Sequence, residues 1–326
     1  MTSTTCSYSK EKQNHVFSMF LKQLRKENDL SQEQLCMHLR QHSSLFYNLD
    51  TITVSRWERG VNIPSLAKQA EIVELYDKEL MSIYSADSLF LNECSALVSI
   101  PKAQSTRSNH PYYSNDEYVI KTIDINDNDF YLVLKMIIRY EKNPSLILMP
   151  SIDSFHGLQN LKVSIATAFN GQVVGHALYL KMSSQKIFEF VNINSDLKVL
   201  FSQLPSKTPD GMLVLSSAGA TIELENSIMS SYINQFANNK ELRYLCFSVC
   251  DDIFIKKLKT AKLEAFKVRN IALGDQKVSI HSFLLSRTEL MANRFLLKLA
   301  VISPNHLANF ITEKITGNNI EYTNNR

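Results

Sequence analysis

Leu30-Ser31-Gln32-Glu33-Gln34-Leu35 and, further on, Val54-Ser55-Arg56-Trp57-Glu58-Arg59-Gly60 decide how the first third of this chain is read. Ser31 suits a helix N-cap, and Gln34 three residues on can reach back to the Ser31 N–H, which makes a capping box. Leu35 and Leu39 then share one face of a short helix. A second helix can begin at Asp50 or Thr51, both good N-caps, and this turns Val54 and Trp57 inward and Ser55 and Arg56 outward. Gly60 supplies a left-handed stop, and Pro64 bars continuation.

In order and spacing these residues resemble the Cro/CI-type (XRE) helix-turn-helix family, whose pattern runs L-S-Q-x-x-L-A-x-x-L … I-S-x-x-E-x-G. The match covers about residues 16–80. The resemblance implies sequence-specific binding to a double-stranded DNA operator. It turns Thr51, Ile52, Ser55 and Arg56 toward the major groove, with Thr53 at the margin. Arg56 can donate two parallel hydrogen bonds to guanine O6 and N7, and Ile52 can pack on a thymine methyl. Gln32 falls where the family clamps a backbone phosphate, helped by the helix dipole. Arg25 and Glu58 fall where many members hold a buried ion pair between the first helix and the recognition helix. Without that context Arg56 or Arg59 reads as a solvated charge, and Ile52 reads equally well as core. One departure is the connection Arg40 to Leu49, several residues longer than the family's turn of about four; such insertions cost little closure entropy. Leu45, Phe46 and Tyr47 within it either plug the helix junction or touch DNA or a partner.

Charge lends this reading little help. Residues 1–85 carry ten Lys/Arg and ten Asp/Glu, and the whole chain is only +3. Non-specific affinity comes from phosphate neutralisation, so specific binding would lean on geometry and on a homodimer matching a palindrome. At 326 residues and 44% apolar content, two domains are the natural count. No apolar run reaches the roughly 18 residues of a membrane span, and the first residues lack an apolar signal core. Five widely spread cysteines (Cys6, Cys36, Cys94, Cys246, Cys250) fit reduced thiols in a cytoplasmic protein, with Cys246 and Cys250 read as structural. The scattered histidines show no metal-ligand spacing, so no metal site is expected.

Helical periodicity continues from Pro64-Ser65 to about Ser99, and Pro, Ser and Asn then mark a linker over 101–117. Beyond it strands and helices alternate. Strand-like runs are Tyr118–Ile125, Ser145–Met149, Leu161–Phe169, Gln172–Lys181, Lys186–Val191, Gly211–Leu215, Leu242–Val249, Ala265–Leu273 and Lys277–Leu285. Helix-like runs are Asp127–Tyr140, Ile222–Phe236 and Asp252–Glu264. Asn170-Gly171 between two strand runs predicts a type I′ hairpin.

That order, with NGQVVGHA at residues 170–177 and Glu264-Ala265-Phe266 after the last long helix, resembles the GNAT acetyltransferase superfamily over about 118–286. The resemblance implies a mixed sheet in which two neighbouring parallel strands splay to admit acetyl-CoA. A Q/R-x-x-G-x-G/A loop opens the next helix there and cradles the pyrophosphate. The equivalent here, Ser216-Ser217-Ala218-Gly219-Ala220-Thr221, has one Gly and no leading Gln or Arg. It reads either as a loop for an acyl-CoA-like ligand (Ser216, Ser217, Gly219, Ala220, Thr221) or as an ordinary strand-to-helix turn. The family's late helix usually carries a Tyr as general acid. Lys259–Leu263 has none, and no other catalytic residue stands out.

Thr288–Ile302 predicts one amphipathic helix, broken at Pro304 before a shorter one to about Ile315. The domains expected are a flexible segment 1–15, an all-α XRE-type helix-turn-helix head with an extra helix at 16–100, the linker, a GNAT-like mixed-sheet α/β domain at 118–316, and a disordered tail 317–326. The function expected is a transcription regulator whose second domain senses a small molecule or protein effector, or dimerises, with no required cofactor and no membrane partner. Two alternatives stay open: a bifunctional protein with acyl-CoA-dependent acetyltransferase activity, and a DNA-binding subunit of a larger assembly.

Overall fold

Short-range hydrogen bonds set the ends of the first helices. In the computed structural model, which describes residues 15–98, 118–127, 130–140, 161–193, 209–273 and 276–302, α1 spans His15–Glu27 and α2 Gln32–His42. The Ser31 hydroxyl accepts from the Gln34 N–H at 3.1 Å, and Gln34 Oε1 accepts from the Ser31 N–H at 2.7 Å. Asp50 caps α3 (Thr51–Glu58) by accepting from the Thr53 N–H at 2.6 Å. Gly60 ends it at φ +70°, with Gly60 N–H on Trp57 O at 3.1 Å and Val61 N–H on Arg56 O at 3.0 Å. That paired closure is a Schellman motif, and its left-handed residue is the position in this unit where glycine's freedom is needed. Three further helices follow, α4 (Leu66–Leu75), α5 (Leu80–Ser85) and α6 (Ser88–Val98). Leu21, Leu24, Leu35, Leu39, Val54 and Trp57 lie in the core.

The long α2–α3 connection is shorter than it reads, because α2 runs on to His42 and a 3-10 turn takes Ser44–Phe46. Phe46 is buried while Leu45 and Tyr47 are exposed. Only one of the three plugs the junction.

The chain divides into two compact units, Met1–Ala96 with Thr288–Val301, and Leu97–Arg287 with Ile302–Arg326. Residues 1–14, the linker 101–117, the run Ser145–Met149, the short helix toward Ile315 and the tail 317–326 lie outside the described residues. Residues 288–301, grouped from sequence with the second domain, cluster with the first unit. They also form two helices, α11 (Arg287–Ala292) and α12 (Arg294–Val301), not one. Asn293 makes the break: its side-chain oxygen accepts from the N–H groups of Phe295 at 3.0 Å and Leu296 at 3.2 Å, so it caps a new helix. Leu296, Leu297, Leu299 and Ala300 are buried, and Arg294 and Lys298 meet Glu93 of α6 at 2.8 and 2.7 Å.

The second unit is mixed α/β. Its sheet has the order β1-β2-β3-β4-β5-β7-β6, built from β1 (Tyr118–Asp124), β2 (Leu161–Ala168), β3 (Val173–Met182), β4 (Gly211–Gly219), β5 (Tyr244–Val249), β6 (Lys267–Leu273) and β7 (Gln276–Ser286). All neighbours are antiparallel except β4 and β5. The helices are α7 (Phe130–Tyr140), α8 (Ser184–Ile193), α9 (Ile222–Ala237) and α10 (Asp252–Thr260). The unit is therefore a seven-stranded mixed sheet with a single parallel pair, β4 beside β5. α7 and α8 supply Phe130, Leu134, Ile187 and Phe190 to a core shared with Val163, Leu178, Leu180 and Leu213 of the sheet. On α9, Gln235 donates to the Tyr179 hydroxyl of β3 at 2.6 Å, and the Ser227 hydroxyl meets that of Tyr118 on β1 at 2.7 Å. Arg287 closes the far end of α9, donating to the carbonyls of Ala237 at 2.8 Å and Phe236 at 3.3 Å, which satisfies last-turn acceptors with a cation.

Two sequence expectations fail here. Lys186–Val191 is not a strand but the middle of α8. Its start is held by Asp210, whose carboxylate accepts from the Ser184 N–H and hydroxyl, each at 2.7 Å. A cap 26 residues away leaves no local signal. The Asn170-Gly171 hairpin is not type I′, which needs two left-handed residues. Only Gly171 is left-handed, at φ +81°. Gly171 N–H bonds Ala168 O and Ala168 N–H bonds Gln172 O, both at 2.9 Å, giving a three-residue loop. Among the described residues no helix is long and apolar enough to cross a membrane.

Candidate functional site

On α3 the residues divide by face. Val54, Trp57 and Glu58 are buried, Thr51, Ile52 and Arg56 are exposed, and Thr53 and Ser55 are half-buried. Ile52 is 62% exposed, so it is not core. Behind this face Arg25 of α1 grips Glu58 with two bonds, Nε to Oε1 at 2.5 Å and Nη2 to Oε2 at 3.1 Å, while its Nη1 donates to Leu30 O at 2.8 Å. Gln32 also donates to Glu58 Oε2, at 2.8 Å. Gln32 therefore does structural work, and a second amide N–H remains on the same group for any phosphate contact. Burial pushes the Glu58 carboxyl up, but the hydrogen bonds from Arg25 and Gln32 and the Arg25 charge outweigh it and hold the group below its ordinary value. The result is a short helix fixed from behind and polar and aliphatic in front.

In the second unit the parallel pair joins only Gly211–Val214 to Tyr244–Phe247. β4 runs on to Gly219 and β5 to Val249 without pairing each other, so the strands part. A bulge between β3 and β4, where Leu178 faces Ser216 and Tyr179 faces Val214, falls where the parting begins. The expected ligand residues sit around this gap, but Ser216, Ser217 and Gly219 belong to the strand rather than to a loop. Ser216 is buried against His176, at 2.5 Å from its Nε2. Ser217 hydrogen-bonds the Tyr232 phenol, whose pKa is raised by burial and then by the Glu225 charge. Gly219 has no room for a side chain: a Cβ would lie 2.5 Å from the Glu225 amide nitrogen. Ala220 N–H is spent on Val174 O at 2.9 Å, and Thr221 caps α9 by accepting from Leu224 N–H at 3.2 Å.

A helix N-terminus attracts anions. Here Glu223 and Glu225 already fill the first turn of α9 with negative charge, and an incoming pyrophosphate would meet them. α10 ends at Thr260 and bears no Tyr; its Lys257 donates to Asn226 of α9 at 2.6 Å. The His176–Ser216 pair was not singled out from sequence, since the two residues are 40 apart and share no motif.

No protein-family model and no curated protein sequence matches the chain. Among solved structures, the chain is similar to a mutant of agmatine N-acetyltransferase in its apo form, with a TM-score of 0.37 and 12% identity over 52% of this chain and 100% of that one. Drosophila melanogaster polyamine N-acetyltransferase gives a TM-score of 0.37 and 11% identity over 52% and 100%. An N-acetyltransferase from Staphylococcus aureus gives 0.36 and 12% over 53% and 99%. No residue role carries over at this distance.

Proposed function

We propose that the chain is a sequence-specific DNA-binding regulator in which the GNAT-like unit is a sensing or dimerising body. The observation that carries this is the exposed face of α3, with Thr51, Ile52 and Arg56 outward and the helix pinned from behind by the Arg25–Glu58–Gln32 cluster. Such a helix presents a base-reading surface at little cost in reorganisation. Selecting bound sequences from genomic DNA tests it. Arg56→Ala should weaken the selected site by about 1–3 kcal/mol while leaving folding intact. Equal affinity of variant and parent would sink the assignment.

Acyl-CoA-dependent acetyl transfer is the second reading, favoured by the parted β4 and β5 strands of the GNAT-like sheet. Against it stand the acidic first turn of α9 and the absence of a Tyr on α10. Calorimetry and turnover with acetyl-CoA separate the cases: steady turnover makes the chain an enzyme, and neither binding nor turnover leaves the unit as scaffold.

A further inference from the structure

The first unit holds a cleft of about 230 Å³ lined by Pro64, Gln69, Tyr84, Asp87, Phe90 and Arg294 among others. Its polar groups are not equivalent. Gln69 is tied at both ends of its amide, donating to Pro64 O and accepting from the Tyr84 hydroxyl, both at 2.8 Å. Asp87 is 6% exposed; its Oδ1 accepts from the N–H groups of Leu89 at 3.0 Å and Phe90 at 3.3 Å, but its buried Oδ2 has no hydrogen-bond partner among the described residues. A buried carboxylate oxygen left this way is costly unless something donates to it. Across the lining Arg294 stacks over Phe90, 5.6 Å from the ring centre, and its Nη2 donates to Glu93 Oε2 at 2.8 Å. A guanidinium has five donors in all.

We infer that this cleft binds a small zwitterion of the free amino acid class, with its ammonium on Asp87 Oδ2 and its carboxylate on Arg294. A simple cation would be opposed by Arg294 and a simple anion by Asp87, whereas one molecule carrying both charges answers both. The small volume and the Pro64 and Phe90 walls suit a compact ligand with an apolar portion. The site does not depend on DNA recognition, so its test contains no DNA.

Calorimetry of the full chain with a panel of free amino acids, their N-acetyl derivatives and their carboxamides decides the matter. At least one free amino acid should bind saturably, and both capped forms should bind about tenfold more weakly or worse. Asp87→Asn keeps an acceptor for the α6 cap yet should lower affinity about tenfold, and Arg294→Gln should erase the preference for a free carboxylate. Unchanged Trp57 fluorescence checks that both variants are folded. Absence of binding by every free amino acid, equal binding of capped forms, or an unaffected Asp87→Asn variant would each overturn the inference.

Discussion

In the helical unit the deciding contacts are local, and in the sheet unit they are distant. Ser31 meets Gln34, Asp50 meets Thr53, and Trp57 meets Gly60. In the sheet unit Ser184 meets Asp210 across 26 residues, His176 meets Ser216 across 40, and Tyr118 meets Ser227 across 109. Local contacts leave a pattern that spacing reveals; distant ones exist only once the strands are in register.

The largest effect should come from a long-range contact of the helical unit, the exception to its local character. Glu58→Ala strands the Arg25 guanidinium, and we expect a loss of about 3 kcal/mol, the low end for a broken buried pair because Arg25 keeps some water contact. Trp57, the only tryptophan in the chain, reports this unit by fluorescence. An unchanged denaturant midpoint would mean the pair contributes nothing. The pH dependence has a definite sign. Glu58 is held below its ordinary value of 4.5, so its stabilisation is present above that pH and is lost as pH falls through the depressed folded value. Glu58→Gln should flatten the acid limb of the Trp57 transition.

In the sheet unit Gly219→Ala puts a methyl against the backbone of Glu225. Overpacking of this kind costs about 1–3 kcal/mol, and unfolding followed by circular dichroism measures it. A neutral result would mean that the β4–α9 approach is looser than the structure has it.

The smallest pair tests the comparison directly. Asp50→Ala removes a local cap and Asp210→Ala a distant one, and each should lower the denaturant midpoint by a small amount. If distance in sequence carries an added ordering cost, Asp210→Ala will exceed Asp50→Ala; equal losses would show that a cap is worth the same wherever it comes from.

Sequence alone determined the capped helices α2 and α3, their inward and outward faces, and most strands, because those depend on periodicity and on neighbours within a few residues. The outward position of Arg56 was legible for the same reason, whereas Ile52 read equally well as core until the fold left it exposed. Tertiary structure decided the rest. Ile187, Phe190 and Val191 read as a strand, and became helix only with Asp210 in place to cap Ser184. Ser216 and Ser217 read either as a ligand loop or as a strand-to-helix turn, and their partners His176 and Tyr232 appear only when β4 pairs with β3. Asp87 and Arg294 lie far apart in the chain, and only the packing of α12 in the helical unit brings them to one cleft. A side chain's partner is set by what the folded backbone places beside it, and that information is not carried by the residues next to it in sequence.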